Sequence, residues 1–590
     1  MQKIKSTIAT SILFLMDLII ALCGLFMISI VITGGGEIQL HQHTILLYSI
    51  KNALTLALIL IPIRYLSSRH TPFLLVKKFN LTQLPLKTHT FLESLYRKFQ
   101  STNSNEIPTS PQKNETIKWL ILILAISTAI KLSNAWFYYG FYSGDDVEIV
   151  EMTFSRLFDL KWEAWNLRNA FYPMTFIYPV QALLKSIGVT NPRALVFGGS
   201  MVVILFSTLN IILTYRIVSR MLKNNFTGLL AAFFLAFSQL HISFASTVLP
   251  RTVATTFILA ALLLTVEKPK SNTAAAFAGL MLGISAVIRF SEIIFIIPFM
   301  VYLLLQKRIR HAAVMAGSCI ITGAALLGIS DFLYWGSPFF SLKNIIDYTL
   351  VKKLSSRGYQ SPLYYFTHFW EWTNLFVIIL AAAALKWKNR FVALWAVFPI
   401  IILSILPHKE ARYLIPVLPF WASLTALGFY SWLERIMESK NLNEAARWKK
   451  LTQSSLLLVF IFCASFILEI DGYRSRRSES AVDTARYITH QKGVEKIAIE
   501  QTWKAGGILY LHKIPAVLDI STDKINDTAY FSSIVTTEGL QYIILKARSI
   551  SDFKLEPILA QNGFTPIEIG QQKRDKYCIY ISKNNRAKPK

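Results

Sequence analysis

Apolar stretches of about twenty residues recur along most of this 590-residue chain, each long enough to cross the roughly 30 Å hydrocarbon core of a bilayer. Candidate spans lie at about 8–33, 44–66, 118–138, 194–218, 226–245, 248–266, 273–289, 292–306, 311–330, 370–386, 391–407, 412–432 and 451–469. The runs are continuous rather than alternating, which argues against a β-barrel. Charged residues make up 16% of the chain, well below the roughly 25% of a soluble domain, and the mean hydropathy is +0.43. The pattern predicts an all-α polytopic membrane protein with about 13 transmembrane helices. The first run, Ile8 to Ile32, is too long for a signal-peptide core and reads as a retained span.

A formal charge of +27 would suggest nucleic acid in a soluble protein, but here much of the excess sits in short loops between apolar runs, where basic residues set orientation. No nucleic-acid partner is implied. Lys77, Lys78, Lys87, Arg97, Lys98 and Lys113 fall between the second and third spans and make residues 67–117 a basic cytoplasmic linker. Alternate threading from that point also puts Lys307-Arg308-Ile309-Arg310 and Arg447-Trp448-Lys449-Lys450 inside. The segments 139–190, Arg289–Glu292, 331–369 and His408–Arg412 then lie outside, as does everything after about Asp471. The four cysteines, Cys23, Cys319, Cys463 and Cys578, have neither metal-ligand spacing nor a disulfide framework.

Residues 1–66 thus form a two-span extension, 118–470 a transmembrane core and 471–590 a small extracytoplasmic α/β domain. In that tail, β-branched or aromatic runs at Lys496–Glu500, Ala516–Ile520, Tyr542–Leu545 and Tyr577–Ile581 read as strands. Ser480–His490 and Ser551–Asn562 between them read as helices.

Charge in the outer segments carries the candidate chemistry. Asp145-Asp146 directly follow a span; paired carboxylates at the mouth of a cavity suit a general base, whereas the alternative is a helix-capping pair. Trp162-Glu163-Ala164-Trp165, with Arg168 beyond, reads either as an interfacial helix or as an aromatic face for a sugar. Arg289 and Glu292 occupy a tight turn between spans, and Asp331 and Trp335 bracket another boundary. In His408-Lys409-Glu410-Ala411-Arg412, His408 and Arg412 are four apart and share one face of a helix, with Lys409 and Glu410 turned elsewhere. A cationic cluster there suits a phosphate, bound by charge-assisted hydrogen bonds. On the outer face that anion is a lipid phosphate rather than a cytoplasmic nucleotide.

The run His408-Lys409-Glu410-Ala411-Arg412-Tyr413 resembles the His-Lys-Glu-x-Arg-Phe signature of the polyprenyl-phosphate-mannose-dependent α-mannosyltransferases of glycosyltransferase family 22, which share the GT-C fold. Asp145-Asp146, Trp162-Glu163 with Leu167-Arg168 and Tyr172-Pro173, and Asp331 with Trp335-Gly336 resemble its other motifs in the same order. Asp146, Asn169 and Tyr413 depart from the usual Glu, Ser and Phe. The resemblance covers roughly 118–470 and implies transfer of a hexose, mannose in the family, from a polyprenyl-phosphate donor to a hydroxyl of a glycan or glycolipid acceptor, with inversion. Asp145 or Asp146 would be the base. Arg412 with His408 or Lys409 would hold the donor phosphate, with Arg168, Arg289 and Arg251 in support. Trp162, Glu163, Trp165, Asp331 and Trp335 would contact acceptor or sugar. No cofactor or metal is implied. The competing expectations are a GT-C transferase with another sugar or a protein acceptor, and a glycolipid transporter. Lumen-addressed features of a eukaryotic protein are absent, which places the chain in a bacterial cell membrane, with the ER membrane as the alternative.

Overall fold

The computed structural model describes residues 110–160, 165, 167–351, 360–384, 390–437, 479–567 and 577–583, together with the backbone of a hairpin, β1 (Gly36–Leu40) and β2 (His43–Leu47). The expected spans at 8–33 and 451–469, the rest of 44–66 and most of the basic linker lie outside the described residues, as do Trp162 and Glu163.

The helical unit begins with α1 (Ser110–Phe137) and the short α2 (Gly144–Phe158). A π-helical turn at Pro173–Ile177 leads into α3 (Tyr178–Ser186), followed by α4 (Pro192–Leu222), α5 (Asn225–Ala236) and α6 (Gln239–Ala245). Then come α7 (Arg251–Glu267), α8 (Asn272–Ile288), a 3-10 turn at Phe290–Phe295, α9 (Ile296–Leu305), α10 (Ile309–Trp335) and α11 (Phe340–Ile346). The unit closes with α12 (Leu375–Ala384), α13 (Arg390–Ile405), a 3-10 segment at Ala411–Val417 and α14 (Leu418–Met437). Local chemistry sets many of these boundaries. The Asn191 side chain accepts the Arg193 N–H ahead of Pro192 at the start of α4, and the Asn224 side chain accepts from Phe226 and Thr227 at the start of α5.

Among the described residues, four helices are long and apolar enough to cross a membrane: Thr116–Phe137, Pro192–Leu222, Ile309–Trp335 and Ala411–Arg435. The expected span at 226–245 is instead two helices, α5 and α6, bent by 59° at Phe237-Ser238. Expected spans at 273–289, 292–306 and 391–407 are apolar helices of 10–17 residues. The described residues therefore hold fewer long spans than the thirteen that hydropathy suggests.

Small residues let the helices approach closely. A Cβ on Gly279 of α8 would sit 2.2 Å from the Met315 carbonyl oxygen of α10, and one on Gly283 would sit 2.7 Å from that of Cys319. The two glycines are four apart, so one stripe of α8 meets the α10 backbone in the small-xxx-small manner of membrane helix pairs.

The C-terminal residues form α15 (Glu479–Thr489), β3 (Lys496–Glu500), β4 (Ala516–Ile520), α16 (Thr528–Val535), β5 (Tyr542–Lys546), α17 (Ala547–Asp552), α18 (Glu556–Gln561), β6 (Phe564–Ile567) and β7 (Tyr577–Ser582). The sheet order is β4-β3-β5-β7-β6; β4, β3 and β5 run parallel, and β7 and β6 pair antiparallel. Side chains alternate across it. Ile497, Ile499, Ile544 and Ile579 join the core that includes Phe141, Val150 and Phe154 of the helical unit. Ala498, Ile543 and Leu545 pack with Phe531 and Leu559 on the other face.

Gly279→Ala should force α8 and α10 apart and lower thermal stability in detergent by roughly 1–3 kcal/mol, the usual range for overpacking. Gly317→Ala on α10, where an added Cβ meets nothing within 4 Å, should leave the transition unchanged or slightly raised.

Candidate active site

The site is assembled where the ends of α7, α8 and α10, the start of α2 and the segment before α14 come together. Ser143 is the N-cap of α2, and its N–H and hydroxyl both donate to Asp146 Oδ1, at 2.7 and 3.0 Å, while the Tyr142 N–H donates to Oδ2 at 2.8 Å. Asp146 thus closes a capping box and is only 2% exposed. Asp145, one residue earlier, turns the other way into a ring of guanidinium groups. It pairs with Arg168, with Arg412 at 3.0 Å and with Arg289 at 3.9 Å. Burial alone would push the Asp145 carboxyl up, but the charges of Arg168, Arg412 and Arg289 hold it well below the usual carboxylate range.

Arg168 is itself fixed from several directions. Its guanidinium also pairs with Glu148, one helical turn along α2, and lies 5.2 Å over the Trp165 ring. Glu148 accepts the Trp165 N–H at 2.8 Å, and the Trp335 indole N–H donates to the Arg168 carbonyl at 3.1 Å. Burial raises the Glu148 carboxyl, against the pull of Arg168.

The segment carrying Arg412 is not an α-helix. Glu410 is extended, with φ −143° and ψ 146°, and a 3-10 segment starts at Ala411. The expected shared face of His408 and Arg412 is therefore replaced by a carboxylate bridge. Glu410 accepts from His408 Nε2 at 2.9 Å on one oxygen and pairs with Arg412 Nε on the other. Arg412 also donates to the Ser143 hydroxyl at 2.9 Å, so one guanidinium ties Glu410, Ser143 and Asp145 together. Lys409 points away: its ammonium donates to the carbonyls of Gln360, at 3.0 Å, and Leu406.

Arg251 pairs with Glu292 and lies 4.3 Å over the Tyr413 ring. Asp145, Arg251, Arg289 and Arg412, with Phe244, Leu249, Pro250 and Ile415, line a narrow cleft. Asp331 lies apart from it, fully buried, with both oxygens taken by the Ser341 hydroxyl and one also by its N–H. The Trp335 ring stacks on Phe340 at 5.1 Å, and Trp165 meets Tyr348 edge-on at 5.9 Å. Glu148 and Glu410 were not singled out from the sequence; the spacing of Glu148, three residues after Asp145 on one helix, is the signal that marks it. Among the described residues no group of three or more His, Cys, Asp or Glu side chains is placed to hold a metal ion.

Residues 145–505, more than half of the chain, match the Alg9-like mannosyltransferase family. The GPI mannosyltransferase 3 of Yarrowia lipolytica is 24% identical over 355 residues, covering 57% of this chain and 64% of that protein. The GPI mannosyltransferase 3 of Candida albicans is 26% identical over 147 residues, 25% of this chain and 30% of that one. The chain thus matches less than two thirds of the length of these curated relatives. ArnT from Cupriavidus metallidurans superposes in its apo state with a TM-score of 0.54 at 14% identity, over 80% of this chain and 99% of ArnT. Bound to undecaprenyl phosphate, ArnT gives a TM-score of 0.52 at 13% identity over the same shares. At such identities the likeness is one of fold, and together with the family match it leads to one conclusion: the chain belongs to the Alg9-like mannosyltransferase family and has the GT-C fold.

Proposed function

We propose that this protein is a membrane glycosyltransferase that moves a hexose, mannose by family kinship, from a polyprenyl-phosphate carrier to a hydroxyl of a glycan or lipid-linked acceptor on the extracytoplasmic face. The observation that carries this reading is a single carboxylate, Asp145, ringed by Arg168, Arg289 and Arg412 at the wall of a cleft. Membership of a mannosyltransferase family and the shared fold of ArnT, seen with undecaprenyl phosphate, support the donor class.

In this reading Asp145 is the general base and Asp146 the cap that holds it in place. Before the donor binds, the arginines neutralise Asp145, and a carboxylate so stabilised is a weak base. The donor phosphate gives Arg412 and Arg289 a second anion to serve. As their charge is shared, Asp145 becomes more basic. It takes the proton of the acceptor hydroxyl as that oxygen attacks the anomeric carbon from the face opposite the phosphate. The bond from the anomeric carbon to the phosphate oxygen breaks, the electron pair stays on the phosphate, and the configuration inverts. Arg412, held by Glu410 and Ser143, meets the negative charge growing on that oxygen. Protonation of Asp145 removes a negative charge beside the arginines in the same step.

Asp145→Asn should lower transfer from a synthetic polyprenyl-phosphate mannose by about 10²–10⁴-fold, the usual share of a general base, with little change in thermal stability. Asp146→Asn places an amide where three donors converge and should cost about 1–2 kcal/mol of stability instead. Full transfer by Asp145→Asn would remove the base assignment.

The pH profiles should separate. A base must be deprotonated, so rate is lost as pH falls through its pKa. kcat/KM follows the free enzyme, where the arginines hold the Asp145 pKa down, so its acid limb should lie lower than that of kcat, which follows the donor complex. Coincident limbs would mean that donor binding does not draw the arginines away from Asp145.

A further inference from the structure

One turn of the C-terminal residues closes directly over the site helix. Glu151 lies further along α2 than Asp145 and Glu148, is buried, and accepts the Ile508 N–H at 2.9 Å on Oε1. Gly507, the residue before, has φ +53° and ψ −130°, a backbone shape that side-chain-bearing residues avoid. A Cβ there would fall 1.6 Å from Glu151 Oε1. Gly506, with φ +87°, would place its Cβ 2.7 Å from the Phe141 ring in the loop that leads into α2. Two consecutive glycines are thus what allows this backbone to close over the carboxylate and the loop. The contact is flanked by the Tyr139 hydroxyl donating to Asp483 at 2.5 Å and by His512 stacked on Phe158 at 6.5 Å.

Glu151 has no part in the arginine ring, and among the described residues no cation pairs with it. Burial, with the charge of Glu148 adding to it, pushes its carboxyl up to about 7 against the Ile508 N–H. A buried carboxyl with one backbone donor is a poor stabiliser compared with a packed apolar side chain. Its geometry gives it a different use. The start of α2 is fixed by its capping box and by the arginines, and Glu151 is where the C-terminal domain grips the same helix.

We propose that Glu151 and the Gly506-Gly507-Ile508 turn form a clamp by which the C-terminal domain sets the position of α2, making Glu151 a positioning residue for Asp145 and Glu148. The link to turnover rests on the function proposed above; the clamp itself does not. Misplacing a reacting group by about 1 Å costs on the order of 10²-fold in rate, so a small slide of α2 is enough to matter.

The test uses the full-length protein in detergent and reads amide hydrogen exchange over residues 144–152 and 505–512 beside transfer kinetics. Glu151→Ala should speed exchange in both segments and lower kcat about tenfold or more, with the donor KM changed by less than about twofold. Glu151→Gln keeps an oxygen for the Ile508 N–H and should restore both. Ile508→Pro removes the donor and turns its ring Cδ against the Glu151 carboxylate, so it breaks the same contact from the other side, at the first position of a helical turn where proline is tolerated, and should reproduce Glu151→Ala. It also decides the matter if Glu151→Ala does not fold. Unchanged exchange over 144–152 in Glu151→Ala or Ile508→Pro overturns the proposal, as does faster exchange with unaltered kcat, or a Glu151→Gln variant as impaired as Glu151→Ala. Should Asp145→Asn retain transfer, the base assignment fails, while exchange over 144–152 still shows whether the clamp holds α2.

Discussion

The contact between Arg412 and Asp145, at 3.0 Å, joins the two halves of the helical unit. One partner sits at the first turn after α1 and the other just before α14, so the pair closes the chain on itself at one end of the bundle. Neither side chain stands alone. Arg412 is shared among Asp145, Glu410 and Ser143, and Asp145 among Arg412, Arg168 and Arg289. Both are largely buried, where an uncompensated charge is costly, and because Arg412 keeps Glu410 and Arg168 keeps Glu148, neither arginine is stranded when one contact is lost. The mesh of neighbours keeps that pair in register while leaving a cleft beside it.

Four arginines, Arg168, Arg251, Arg289 and Arg412, face four carboxylates, Asp145, Glu148, Glu292 and Glu410. A cluster so balanced can exist at the ends of membrane helices without a large unpaired charge. Asp145 is held by the most arginines, and under the proposed function an incoming phosphate would draw them from it and leave it the carboxylate that accepts a proton.

Much of the helical unit was legible because a bilayer demands it: apolar length and flanking charge marked where most described helices lie. The four apolar runs of the tail coincide with strands, since a sheet buried on both faces shows as continuous hydrophobic runs. β6 was missed; Phe564–Ile567 is four residues with an interior proline, and it qualifies as a strand only as an edge beside β7. The break between α5 and α6 was missed too, because hydropathy averages over a bend. At 408–412 a helical period faces Glu410 away from His408 and Arg412, but Glu410 is extended ahead of a 3-10 segment, and its carboxylate joins the two.

Composition and motif order alone determined a membrane-embedded helical protein with acidic and basic segments that belong together, because length, polarity and residue type are properties of the chain. Tertiary structure decided which atoms meet. The sequence Asp145-Asp146 offers two equivalent carboxylates; folding gives one to the backbone of its own helix cap and the other to arginines brought from three distant segments. Likewise the closure of Gly506-Gly507 over Glu151, which helps tie the C-terminal sheet to the helix that carries the site, exists only in the folded chain. Such contacts depend on angles and sub-ångström clearances between elements hundreds of residues apart, and periodicity along one strand of chain holds no record of them.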